Sequence, residues 1–215
     1  MSFLNQLKTQ AKTLQTQQER DTADLDKNTA ETEKASDLTL YYMRELAGQL
    51  NVLSPAAPKF TLDGKTPWPA MKFVEFRVDS RKKMLRNKEV FDSIGMGWRV
   101  IPQIGNPVGG TVKVNFPPDL ERVKARLAMG PVKHEVKELR APETNKLVAL
   151  QFDYVTETRG SIMIAPDHDK ATISFRIMNA TGFEILNTTY PAAMVKHDVL
   201  DELAKLIVSQ PHKFL

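Results

Sequence analysis

The sequence predicts an α+β protein. A helical N-terminal arm, broken or folded into a hairpin, precedes a mainly antiparallel sheet domain with one mid-domain helix and a long C-terminal helix packed on the sheet. Three observations carry this reading. Residues 2–47 contain neither proline nor glycine and are rich in Gln, Lys, Glu, Ala and Leu, which favour helix. Residues 71–190 divide into short alternating segments separated by turn formers. Residues 191–210 carry an apolar stripe at helical spacing.

The arm occupies 1–53. Leu4, Leu7, Ala11 and Leu14 fall three and four residues apart, on one face of a helix, and form a candidate assembly face with coiled-coil character. The pattern lapses through QTQQERDTADLDKNTAETEKASD (15–37), where Leu25 is the one large apolar side chain, and returns at Leu38, Tyr42, Leu46, Leu50 and Leu53. Asp, Thr and Asn in this stretch compete for backbone hydrogen bonds, and Ser36 or Asp37 offers an N-cap for a second helix. The favoured arm is therefore a broken helix or helical hairpin, two pieces joined by a solvated polar segment, and the alternative is one long helix with two sticky ends.

Residues 54–70 hold Pro55, Pro58, Pro67, Pro69 and Gly64 and read as a linker pinned to the domain by Trp68. The domain follows at 71–215. Val74, Phe76 and Val78 alternate in the first strand, with two further strands at Met84-Leu85 and 95–102, and Val112, Val114 and Phe116 alternate in TVKVNF. PPDLERVKARLAMG (117–130) has proline in its first turn, Asp119 and Glu121 early, Arg126 late and Gly130 at its end, the punctuation of a helix with stripe Leu120, Val123, Leu127. Alternating segments at 132–139, 147–155, 161–165, 171–178 and 183–188 predict an antiparallel meander with one wet face. The helix over 191–210, with Val195, Val199, Leu203, Leu206 and Ile207, is expected to seal the other face.

Composition removes several classes of function. There is no cysteine, hence no disulfide, thiolate metal site or thiol nucleophile. No run approaches eighteen apolar residues, so no membrane span or secretory leader is expected and a cytoplasmic location follows as the expectation. Residues 1–37 carry five Lys/Arg against seven Asp/Glu, and the remainder twenty-five against nineteen. That mild basic bias permits weak binding to an anionic partner.

Arg77, Arg81, Lys82, Lys83, Arg86 and Lys88 form the densest basic cluster, a candidate anion or partner patch. The competing reading is a hairpin tip kept soluble by charge, and the lack of interleaved exposed aromatics argues against a specific nucleic-acid module. Asp167, His168 and Asp169 have metal-ligating chemistry, but adjacent turn residues rarely converge, so a tight turn is expected and no metal or cofactor is implied. His134 reads as a partly buried histidine rather than a general base, and GNPVGGT (105–111) lacks phosphate-loop spacing. Phe152, Tyr154 and Phe175 are the candidate lining of an apolar pocket beneath the last helix. The leading expectation is a non-enzymatic interaction or assembly protein that uses its arm for self-association or a protein partner. A carrier or sensor of small apolar ligands comes second. An enzyme, for which no motif speaks, comes last.

Overall fold

The computed structural model describes residues 3–215, apart from the side chains of Leu4, Thr9 and Gln18. The chain is α+β. Helix α1 runs over Phe3–Leu53, strands β1 and β2 over Met71–Leu85 and Lys88–Pro102, and β3 over Gly109–Val114. Helix α2 (Pro117–Met129) precedes β4 (His134–Arg140), β5 (Leu147–Val155), β6 (Thr158–Asp167), β7 (Thr172–Met178) and β8 (Ile185–Pro191). A 3-10 turn at Ala192–Met194 leads into α3, His197–Ile207.

The expected break in the arm is absent, and α1 is one continuous helix. The side chains expected to interrupt it are turned back into it. Thr16, Thr29, Thr32 and Thr39 donate their hydroxyls to the carbonyls of Lys12, Leu25, Asn28 and Ala35, four residues earlier, at 2.7–2.9 Å. Ser36 lies mid-helix and fully packed rather than at a cap.

Residues 29–50 of α1 are structural. Thr29, Thr32, Ala35, Ser36, Thr39, Met43, Ala47 and Leu50 are buried against the sheet. The upper part of this face is made of small side chains, which let the helix axis approach the strands closely. Bonds tie this part of the helix to other elements. Lys88 bonds Asp26 at 3.0 Å, Asn28 donates to the Asp169 carbonyl at 2.8 Å, and Glu33 accepts the Phe91 N–H at 2.8 Å. The helix ends where Ser54 turns to positive φ (45°) before Pro55.

The segment 54–70 follows the domain surface. The Ala57 N–H bonds the Met71 carbonyl and the Phe73 N–H bonds the Pro55 carbonyl. Trp68, 5 % exposed, stacks on Phe60 and on Tyr154 with centroids 6.0 and 5.7 Å apart. Asp63 organises the turn, accepting the N–H groups of Lys65 and Thr66 at 2.8 and 2.7 Å. Burial works against its ionisation. The backbone donors of Thr66 and Lys65 and the Thr66 and Thr61 hydroxyls outweigh it and hold the carboxyl below its usual range.

The first hairpin is longer than its apolar pattern implies. β1 and β2 are each 15 residues and meet at Arg86 and Asn87, both at positive φ (48° and 61°), as a two-residue primed turn requires. The basic stretch after Val78 continues β1 because the partner strand answers it, with Lys82 reaching diagonally to Glu89 at 3.6 Å and Lys83 reaching Asp92 at 3.0 Å.

The single meander divides into two sheets. Five strands lie in the order β1-β2-β6-β7-β8, and three in the order β3-β5-β4. β5 and β6 are consecutive in sequence yet belong to different sheets. At the crossing Thr156 is fastened to Val108 through both its backbone N–H and its hydroxyl. α2 buries Val123 and Leu127 as expected. α3 is shorter than 191–210, since Pro191 ends β8 and Ala192–Met194 make the 3-10 turn. It buries Leu200, Leu203, Leu206 and Ile207. It lies beside α1, where Tyr42 donates to Asp201 at 2.6 Å. Burial, with Asp201 adding to it, pushes the Tyr42 hydroxyl well above the usual tyrosine range. Helix α1, α3 and the inner face of the five-stranded sheet (Ile94, Met96, Val100, Ile162, Ile164, Ile173, Phe175, Ile177) form one core. Among the described residues no helix is long and apolar enough to cross a membrane.

Candidate functional site

Two surfaces remain after this packing. The first is the arm. Residues 5–24 of α1, with Phe3, are exposed wherever the side chain is described, a projection of about 30 Å at 1.5 Å per residue. Phe3, Leu7 and Leu14 are 73 %, 45 % and 65 % exposed. Of the candidate assembly face, Leu7, Ala11 and Leu14 share one side of the helix, and the Leu4 side chain lies outside the described residues. Met43, Ala47 and Leu50 stand ten turns further along, at the same rotational position as Leu7, Ala11 and Leu14 for 3.6 residues per turn. The arm therefore presents its apolar stripe on the side that faces the sheet, beyond the sheet's end.

The second surface is a groove of about 980 Å³ on the outer, wet face of the five-stranded sheet. Register places its side chains. Arg77 on β1, Gly97 on β2 and Ser161 on β6 form one cross-strand row, and Arg99 and Arg159 sit opposite each other in the next. Like charges directly opposite on a sheet repel, and here carboxylates resolve the conflict for one of the two. Glu157 takes the Arg99 Nε and Nη2 at 3.0 and 2.8 Å, and Glu75 takes Nη1 at 2.5 Å. Glu75 reaches it from a bulge in β1 (φ 57°), which Asn51 holds open by bonding both the N–H and the carbonyl of Phe76, at 2.7 and 2.9 Å. The bonds from Glu157 and then Glu75 raise the Arg99 guanidinium above its ordinary value. Arg77 and Arg159 have no carboxylate partner among the described residues.

The sequence-predicted basic cluster is largely neutralised. Lys82, Lys83 and Lys88 pair with Glu89, Asp92 and Asp26, while Arg86 binds Asp169 and the Thr29 hydroxyl, both at 2.6 Å. The cluster clamps the hairpin tip to α1 and to the β6–β7 turn. Arg81 is exposed on β1, and Arg77 belongs to the groove.

The three candidate pocket residues stand on different sheets. Phe152 and Tyr154 are in the three-stranded sheet, and Phe175 is in the five-stranded one. All three are buried, and other rings cover them: Trp68 on Tyr154, and Phe214 edge-on to Phe175 at 5.3 Å. Asp167, His168 and Asp169 diverge. Asp167 accepts the N–H groups of Asp169 and Lys170, His168 turns inward to the Phe91 carbonyl at 2.7 Å, and Asp169 meets Arg86. His134 is exposed rather than partly buried, its ring nitrogen 2.8 Å from the Val132 carbonyl.

The groove is not legible in any one stretch of sequence, because Arg77, Gly97, Arg99 and Arg159 come from three strands. The one local signal is the glycine pair in GMGWR (95–99), since glycine inside a strand marks an open or closely approached site. No family model, curated protein or solved structure matches the chain.

Proposed function

We propose that this chain is a non-enzymatic assembly protein that pairs with a second copy of itself through the arm. One observation supports the reading above others: α1 is unbroken, is bonded to the domain at Asp26 and beyond, and carries exposed apolar side chains at Phe3, Leu7 and Leu14. A solvent-surrounded helix of this length is marginal in water without a packed face. Charge favours a second copy in antiparallel orientation. Residues 3–16 contain Lys8 and Lys12 and no acid, whereas 17–26 contain Glu19, Asp21, Asp24 and Asp26 against Arg20. Antiparallel arms set the basic half of each on the acidic half of the other, and parallel arms set like on like.

The test uses the full chain, because residues 29–50 belong to the domain core. Light scattering after size exclusion is expected to give a dimer, and Leu7→Lys with Leu14→Lys a monomer of unchanged circular dichroism. The chain's lack of cysteine permits orientation to be read directly. Leu14→Cys is expected to crosslink to itself and Leu7→Cys poorly, because this antiparallel pairing sets Leu14 beside its own copy and Leu7 opposite residue 22, whereas parallel arms in register would crosslink both. A wild-type chain that stays monomeric at its highest soluble concentration overturns the proposal.

A further inference from the structure

The outer groove has a feature that packing does not explain. Three glycines lie in the β2–β6 ladder. A Cβ at Gly160 would run into the Trp98 ring, and one at Gly95 would meet the Asp79 carboxylate at 2.5 Å. Both glycines therefore make room for a neighbour. A Cβ at Gly97 meets only the Gly160 carbonyl oxygen, at 3.9 Å, so the space above Gly97 is unfilled. That space lies between the two arginines without carboxylate partners. Gly97 is level with Arg77 on one side and Ser161 on the other, and Arg159 is two residues from Ser161 along β6. With strands about 4.8 Å apart and about 3.4 Å per residue, the Cα atoms of Arg77 and Arg159 are roughly 12 Å apart. Both guanidiniums can therefore reach a group seated over Gly97.

The geometry points to a binding site for a single oxyanion, a phosphate or carboxylate group, carried on a small molecule with an apolar body. Arg77 and Arg159 supply forked donors suited to such a group, and the Ser161 hydroxyl adds a third. Arg99 is already held by Glu75 and Glu157, so it shapes the wall and does not compete for the anion. Met163 and Met178, which line the same groove, offer the apolar body a surface. Charge also sets the class of ligand. The groove's Arg77, Arg99 and Arg159 are balanced by Glu75, Asp79 and Glu157. A polyanion meets carboxylates on both sides of the arginines. One oxyanion gains two local pairs.

Titration calorimetry at low salt with phenyl phosphate and with benzoate tests this, and whichever binds identifies the oxyanion. Saturable binding of either is expected. Arg77→Gln and Arg159→Gln each weaken it about tenfold or more, the size of a lost charged hydrogen bond. Gly97→Val abolishes it by filling the floor while leaving every charge in place. The two arginine variants alter exposed side chains and keep the test decisive if Gly97→Val fails to fold. No binding of either probe overturns the proposal, as does binding that all three variants leave intact. A short single-stranded oligonucleotide that binds more tightly than phenyl phosphate, with steep salt dependence, overturns it in favour of a polyanion surface.

Discussion

Glycine-to-alanine substitutions at three sites in the β2–β6 ladder should have different signs. Removing glycine from a strand interior ordinarily gains about 0.5–1 kcal/mol, because the unfolded chain has less freedom to lose. At Gly97 nothing opposes that gain, since the new methyl has only one neighbour, at 3.9 Å. Gly97→Ala should therefore be neutral or stabilising by up to about 1 kcal/mol. At Gly95 the methyl meets the end of the Asp79 side chain, which can swing aside, and the change should be near zero. At Gly160 it meets the Trp98 ring, which is 3 % exposed and held by Phe73 and Phe76 with centroids 5.6 Å away on each. The ring has nowhere to go, so β6 must shift. Overpacking of this kind costs about 1–3 kcal/mol, and for a chain of this size each kcal/mol lowers the melting temperature by roughly 2–4 °C. Urea unfolding followed by tryptophan fluorescence measures all three, and near-ultraviolet circular dichroism reports the Trp98 environment. If Gly160→Ala is as stable as wild type, or Gly97→Ala loses as much as Gly160→Ala, the account of the ladder is wrong.

Other perturbations probe the anchors of the fold. Asn51→Ala leaves the Phe76 N–H at the bulge without its partner and should cost about 1–2 kcal/mol in urea unfolding. It should also loosen Glu75 from Arg99, visible as an added arginine side-chain signal change by NMR. Phe214→Ala removes a fully buried ring one residue from the C-terminus and should cost about 3–5 kcal/mol, while deleting Leu215, 60 % exposed, should be nearly silent. Asp153 gives a pH signature. Its bonds to Lys137, then to Thr111 and Gln151, hold its carboxyl at about 2 against an ordinary 3.8. A carboxyl depressed in the folded state stabilises fully above pH 3.8, and that contribution fades as pH falls toward 2. Asp153→Asn should flatten the fall in urea midpoint across that window, and an unchanged profile would remove Asp153 from the acid response.

Much of the fold was legible because its signals are local. The stripe Leu120, Val123, Leu127, with proline before it and Gly130 after, marked α2, and the alternation in Ile173, Phe175, Ile177 marked β7. What was not legible depends on partners distant in sequence. The buried face of α1 uses Thr29, Thr32, Ser36 and Thr39, which read as polar. Only when the threonine hydroxyls fold back onto the helix do their methyl groups become packing surface. The continuation of β1 through Arg81, Lys82 and Lys83 depends on acids in β2, and the split into two sheets depends on β2 choosing β6. The groove was hidden for the same reason. No single stretch contains its two unpaired arginines and its empty floor.

The single helix α1 has a consequence for how this protein can change over generations. Its polar stretch, residues 15–24, is exposed wherever the side chain is described, so beyond the acidic charge that antiparallel pairing uses, its chemistry is lightly constrained. Its length is another matter. Each inserted or deleted residue turns the outer end by about 100° relative to the domain. One such event would swing Leu7 and Leu14 away from the side they share with Met43 and Leu50. Selection on this stretch would therefore read the number of residues and their net acidic charge, and little else. Diverged copies of the chain should vary between Leu14 and Leu25 while keeping a net acidic charge and a nearly invariant count.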